Sequence, residues 1–114
     1  MNKKFLAIAI LLAIVFGSVL LHADRALDPI LNDFQREVQN LENLVNRIIR
    51  AGRITQNDMR DLGNIESAMN QLAARFNNRN LGTPTEQQQR RLNDLELRGR
   101  SAVERLWRSG LTPP

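Results

Sequence analysis

The chain of 114 residues contains no cysteine and no tyrosine, its one histidine is His22, and its two lysines are Lys3 and Lys4. Without cysteine, disulfides, thiol nucleophiles and thiolate metal sites are excluded. Beyond residue 23 the charged side chains are all arginine, aspartate or glutamate, so acid–base catalysis at neutral pH would depend on carboxylates alone. The sequence also lacks glycine-rich phosphate loops and nucleophile elbows. We therefore predict a protein that is not an enzyme and needs no metal or cofactor.

The first 23 residues have the order of a secretory signal. A basic start with Lys3 and Lys4 precedes an uncharged stretch, residues 5–21, and the small residue Ala23 precedes the polar Asp24. The apolar stretch is longer than the usual signal core of about 7–15 residues and reaches the lower limit of about 17 residues for a membrane-spanning helix. We predict a signal peptide over residues 1–23, cleaved between Ala23 and Asp24; the alternative is an uncleaved membrane anchor.

Residues 24–114 form the predicted domain, and their charge is nearly balanced. They contain fourteen arginines against twelve aspartates and glutamates, which is not the excess typical of a nucleic-acid-binding domain. We expect no nucleic-acid partner. An exported chain of this kind is expected in the periplasm or outside the cell, or at the inner membrane if the anchor is retained.

Apolar residues after residue 26 recur with the alternating spacing of a helical seam, three heptads long. The seam positions are Leu27, Leu31, Phe34, Val38, Leu41, Val45 and Ile48. Three further apolar residues, Ile30, Leu44 and Ile49, widen the stripe, which favours a helix that packs against two neighbours. With Asp28 as its cap, Pro29 in its first position and Gly52 as its stop, this helix is predicted over about residues 28–51.

Two more helices are predicted, over about residues 55–79 and 84–109. Thr55 with Asp58 forms a capping box for the second, and Thr83 with Pro84 is the predicted start of the third. Their expected apolar faces are Met59, Leu62, Ile65, Met69, Leu72 and Phe76, and Leu92, Leu95, Gly99, Ala102 or Val103, and Leu106. Because the connections are short, neighbouring helices must run antiparallel. We predict an all-α fold, an antiparallel up-down-up three-helix bundle with coiled-coil-like packing.

Several side chains off these apolar faces are candidates for a partner surface: Trp107, Arg91, Arg105, Asn57, Asn64, Gln71 and Asn78. The four amides recur every seven residues, which indicates a hydrated outer face or a hydrogen-bonding surface for a partner helix. On the third helix most arginines follow an acid by four residues, an arrangement that forms ion pairs; Arg91 and Arg105 do not. Trp107 is either a cover over the core or an anchor for a partner.

Residues 54–58 and 84–88 are similar to the Leu-Thr-x-x-Gln helix openings of small periplasmic helical chaperones and stress sensors. The first lacks the final glutamine, with Asp58 in its place, and the second lacks the leucine, with Pro84 in its place, so no family assignment is made from them. The expected function is that of a non-catalytic exported bundle that binds another envelope or secreted protein, or a second copy of itself. The alternatives are a chaperone-like or lipid-binding helical module and a membrane-anchored structural subunit of an envelope complex.

Overall fold

Three helices packed together make up the fold. The computed structural model describes residues 17–114, with side chains from Ala26 onward except that of Arg79. Within this range the helices are α1 (Gly17–Ala51), α2 (Gln56–Phe76) and α3 (Glu86–Arg108), and a single 3-10 turn, Arg79–Leu81, follows α2. The predicted all-helical, three-helix class is confirmed. The shape is elongated, 57 × 23 × 16 Å.

The predicted start of the first helix at Asp28 is wrong. α1 already includes Gly17, the first described residue, and Pro29 lies inside it. A proline in a helix interior removes one backbone hydrogen bond and crowds the preceding turn. Pro29 is exposed, so water can solvate the carbonyl that has lost its donor. Because the backbone before Asp28 is already helical, Asp28 has no free helix end to cap.

Capping boxes begin the other two helices. Thr55 accepts from the backbone N–H of Asp58 while the Asp58 carboxylate accepts from that of Thr55, as predicted. For α3 the predicted cap Thr83 is wrong: Thr85 is the cap, and Gln88 is its reciprocal partner. Both threonines stand three residues before a long polar side chain, Glu86 for Thr83 and Gln88 for Thr85, and in the structure the second pair forms the box.

The core lies along α1. All seven apolar residues of the predicted heptad pattern, from Leu27 to Ile48, are buried, as are Ile30 and Leu44. α1 packs closely against both α2 and α3, whereas α2 and α3 approach each other less closely. The wide apolar stripe of α1 therefore serves two neighbours.

On the other two helices the structure selects among the predicted core positions. Ala102 is buried and Val103 is 38% exposed, which decides between the two positions that the spacing left open. Met59, expected in the core, is 42% exposed. A Cβ on Gly99 would lie 3.0 Å from the Met69 methyl, so the glycine allows α2 and α3 to approach at that level.

The predicted signal peptide falls mainly outside the described residues, because residues 1–16 are not among them. The predicted cleavage bond, Ala23–Asp24, lies within the span of α1. Within residues 17–114, none of the helices combines the length and the apolar character that a membrane crossing requires.

Candidate functional site

Polar side chains bridge α1 and α3 along one side of the bundle. Asp28 accepts from Gln88 (Oδ1 to Nε2, 3.0 Å), and Asn46 accepts from Arg105 (Oδ1 to Nη1, 3.0 Å). Between these two contacts, Arg91 donates to both Asn32 and Gln35 at 2.7 Å. Residue numbers rise together on the two helices, so α1 and α3 run parallel. We call this row of contacts the α1/α3 seam.

Arg98 and Glu42 form the ion pair of this seam. The Arg98 guanidinium donates through Nε and Nη2 to the two carboxylate oxygens of Glu42. Hydrogen bonding to Glu42 raises the pKa of Arg98, and the charge of the carboxylate adds to it. A two-pronged contact of this kind fixes geometry as well as energy. With Arg91, Arg98 and Arg105 spaced seven residues apart, the seam contacts recur every second helical turn.

On the opposite side of α1, a shallow groove lies between α1 and α2. Leu44, which is buried, and Ile65, which is half-buried, line this groove. Its polar lining is Asn40, Asn43 and Arg47 from α1 and Asp61 and Asn64 from α2. The side chains of Asn40, Asn43, Asp61 and Asn64 make no hydrogen bond or ion pair within the described part of the chain. We call this feature the α1/α2 groove.

A pair of charged residues connects the groove to the start of α2. Arg47 donates to the Asp58 carboxylate (Nη2 to Oδ1, 3.2 Å), and Asp58 is only 9% exposed. The backbone N–H of Thr55 holds the pKa of Asp58 below its ordinary value; burial opposes this, and the Thr55 hydroxyl and Arg47 lower the pKa further. Asp58 is thus a structural carboxylate, charged at neutral pH and unsuited to acid–base chemistry there.

The structure places the predicted surface residues in different parts of the bundle. Arg91 and Arg105 lie in the α1/α3 seam, where α1 supplies the acceptors that α3 lacks. Asn57, Asn64 and Gln71 are exposed, and Asn64 lines the α1/α2 groove. Asn78, which is also exposed, accepts from the backbone N–H of Asn80.

Trp107 belongs to neither the seam nor the groove. It is 73% exposed, so the interpretation as a cover over the core is wrong. The side chain stands at the end of the bundle where α3 terminates.

Sequence reasoning missed four groove residues: Asn40, Asn43, Arg47 and Asp61. The signal in α1 was weak, since these residues flank the apolar stripe at positions three to seven apart, where any amphipathic helix carries polar residues. The four-residue spacing on the third helix also predicted an ion pair between Arg98 and Asp94. In the structure the Arg98 guanidinium contacts Glu42 on α1 instead. Helical spacing identifies partners on the same helix only.

Among the described side chains, no group of three or more histidines, cysteines, aspartates or glutamates comes together as a metal site. The arrangement offers hydrogen-bonding groups, an apolar floor and exposed apolar side chains, which suit binding. The chain matches no protein-family model, and comparison with curated proteins and with solved structures finds no significant match.

Proposed function

We propose that this chain is a non-catalytic, exported helical protein that binds a helix of another envelope or secreted protein in the α1/α2 groove. One contrast supports the proposal. In the α1/α3 seam, Asp28, Asn32, Gln35, Glu42 and Asn46 of α1 all accept hydrogen bonds from α3. In the groove, four polar side chains of α1 and α2 have no partner within the described part of the chain.

A helix suits the groove because two helices flank it and because its floor is apolar. Two helices that flank a groove present rows of side chains along it, and a third helix can lay its own ridge between them. Leu44 and Ile65 offer an apolar floor for the partner's apolar face.

The amides suit an uncharged polar partner. Each side-chain amide both donates and accepts hydrogen bonds, so Asn40, Asn43 and Asn64 favour partner residues such as glutamine, asparagine or serine. Asn57 and Gln71 continue this polar row above and below Asn64 at seven-residue spacing. The row thus runs about four helical turns along α2.

Site-specific photo-crosslinking tests the proposal in the cells that produce the chain. A photoreactive amino acid replaces Asn43 or Asn64, which line the groove, or Asp94, an exposed residue of α3 outside the groove. The two groove positions are expected to form the same discrete adduct, and position 94 is expected to form none. Adducts of equal yield from position 94, or none from either groove position, would contradict the proposal. Mapping the crosslinked peptide identifies the partner segment, and the proposal expects its sequence to have the apolar spacing of an amphipathic helix.

A second candidate is a membrane-anchored structural subunit, and the continuity of α1 favours it. α1 runs without a break from Gly17 to Ala51, across the predicted cleavage bond. If the apolar residues 5–21 remain attached, the bundle would be joined to the membrane through a helix rather than through a flexible stalk.

The mature N-terminus discriminates between the exported and the anchored forms. N-terminal sequencing of the chain purified from its natural source is expected to begin at Asp24 if the leader is removed. An intact residue 1 or 2, together with retention in membranes after an alkaline carbonate wash, would support the anchored form instead. Substituting Ala23 with Leu, which a signal peptidase rejects because it requires a small residue there, should block processing only in the first case.

A further inference from the structure

Arginines accumulate at one end of the bundle. α1 ends, α2 begins and α3 ends at this place, and Leu44, Ile48 and Ile54 pack there with Leu106 and Leu111. We define the basic end as residues 49–61 and 100–114. It contains six arginines, Arg50, Arg53, Arg60, Arg100, Arg105 and Arg108, against three acids, Asp58, Asp61 and Glu104. At the opposite end, residues 26–42 and 72–91, arginines and acids are equal in number, five each.

The positive charge of the basic end is available to a partner. Arg50, Arg53 and Arg60 are exposed and make no hydrogen bond or ion pair within the described part of the chain. Arg108 meets Glu104 at 3.6 Å and Arg100 meets Glu96 at 3.9 Å, in pairs that are open to solvent. Exposed pairs of this kind are weak and readily exchanged. Asp58, in contrast, is held by Thr55 and Arg47 and contributes little negative charge to the outer surface.

Exposed apolar side chains gather at the same end. Among the described residues, the large hydrophobic side chains with substantial exposure are Ile49, Met59, Leu97, Val103 and Trp107. Four of these five belong to the basic end, and Leu97 does not. Trp107 is the most exposed of them, at 73%. Arginine and tryptophan together, on a surface that the core does not need, indicate a docking surface.

We propose that the basic end docks on an anionic phospholipid surface, with Trp107 entering the headgroup region. Tryptophan prefers the boundary between hydrocarbon and water, where its ring is buried and its N–H meets polar groups. Arginines near a negatively charged leaflet are attracted to it. Phosphate groups also match the guanidinium fork. The proposal does not depend on the helical partner, because Asp61 is the one groove residue in the basic end, and none of its arginines and exposed apolar side chains lines the groove.

The spread of the arginines around the tip favours a lipid surface over an acidic protein surface. The exposed arginines lie on the last turn of α1, the α1–α2 connection and both other helices, so they spread around the tip of an elongated bundle. A broad, fluid surface of phosphates can meet all of them together, whereas a protein groove must match their positions one by one. Met59, Val103 and Trp107 lie at the same tip. Their apolar side chains can be buried in a lipid surface but not against a soluble polyanion.

The fluorescence of Trp107 provides the test, since it is the only tryptophan of the chain. The full chain is held in phosphatidylcholine nanodiscs, so that residues 5–21 are accommodated in every sample. Empty vesicles of phosphatidylcholine, or of phosphatidylcholine mixed with phosphatidylglycerol, are then added. With anionic vesicles we expect a blue shift of Trp107 emission, quenching by brominated lipid and flotation with the vesicles, all reversed by high salt. With neutral vesicles no shift is expected.

Two matched triple variants test whether the arginines of the basic end are responsible for the binding to anionic vesicles. Replacing Arg50, Arg53 and Arg60 with serine should lower the affinity for anionic vesicles by roughly 100-fold. Replacing Arg36, Arg75 and Arg90, which lie outside the basic end, removes the same charge and should leave the affinity within about threefold. Trp107→Ala, followed by flotation alone, should weaken binding without altering the melting curve, because the side chain is exposed.

Four results would overturn the proposal. The first is an unchanged Trp107 emission with anionic vesicles, and the second is an equal shift with neutral ones. The third is equally tight binding to soluble polyglutamate without a blue shift, which would assign the basic end to an acidic protein. Equal loss of binding in the two triple variants would likewise contradict it, since overall charge and not the basic end would then be responsible.

Discussion

The guanidinium of Arg98 on α3 meets the carboxylate of Glu42 on α1 through two hydrogen bonds, in the middle of the seam between two parallel helices. Both residues are partly exposed, so water and salt weaken their attraction. A double-mutant cycle with Arg98→Met and Glu42→Gln is expected to give a coupling of about 0.5–1 kcal/mol in urea unfolding. The two-pronged geometry places it near the upper part of the range for such pairs.

The exposed pair Glu86 and Arg90, four residues apart on α3, is the matched control. Its coupling is expected to be about 0.3–0.5 kcal/mol. A coupling for Arg98 and Glu42 no larger than that of the control would contradict a specific role in fixing the parallel register of α1 and α3.

Acid should destabilise the bundle through Asp58. Its pKa is lowered in the folded chain, first by the hydrogen bond from the Thr55 backbone N–H. The carboxylate form is therefore favoured by folding, and the stabilisation is fully present above the ordinary carboxyl pKa of 3.8 and is lost as the pH falls below it. Urea unfolding at several pH values is expected to show a smaller acid-induced loss for Asp58→Asn than for the unmodified chain.

Asp33→Asn serves as the comparison, since Asp33 is outside the capping boxes and, within the described part of the chain, forms its ion pair with Arg36 of its own helix. It should follow the unmodified chain in the acid limb more closely than Asp58→Asn does. At neutral pH, Thr55→Ala is expected to cost about 1 kcal/mol because it removes the cap. Identical acid limbs for Asp58→Asn and the unmodified chain would contradict the assigned role of this carboxylate.

Pro29 discriminates between the two possible starts of α1. In the structure it lies inside the helix, where proline costs about 3 kcal/mol relative to alanine. Pro29→Ala is therefore expected to raise the free energy of unfolding by about 1–3 kcal/mol and to increase far-UV helicity. If α1 began at Asp28, Pro29 would occupy the first position, where it is well tolerated, and the substitution would be neutral. Gln39→Ala, at an exposed position of the same helix, should change stability by no more than about 0.5 kcal/mol.

Ala102 and Val103 should respond oppositely to added volume. Ala102 is 1% exposed and packs with Leu41 and Val45, so Ala102→Leu is expected to cost about 1–3 kcal/mol by overpacking. Val103 is 38% exposed, and Val103→Leu should be close to neutral. Urea unfolding of the two variants measures the difference. The reverse order would place Val103 in the core and rotate α3 by one residue.

The α1 stripe shows how far helical spacing reaches. The seven apolar heptad residues of α1, from Leu27 to Ile48, are all buried, because a long run of regular spacing on one helix leaves no other face to bury. Thr55 and Asp58 were likewise predictable as a capping box, since both members lie within one turn. Features that depend on neighbouring residues of one helix can be derived from the sequence.

The candidate sites could not be derived in this way. Arg91 and Arg105 looked unpartnered because their acceptors, Asn32 with Gln35 and Asn46, are more than fifty residues earlier. Asn40 and Asn64 line one groove only because α1 and α2 lie side by side. Neither relation has a local signature.

The helical class, the apolar face of α1 and the cap of α2 follow from local residue patterns, because hydrophobic period and capping act over a few residues. The packing of the three helices settles which polar side chains are used within the bundle and which remain for a partner. It paired Arg98 with Glu42 instead of Asp94, buried Ala102 instead of Val103, and left Trp107 exposed. The reason is physical: the rotation of each helix about its axis is set by packing against the other two, and that rotation assigns every side chain to the core, a seam or the surface.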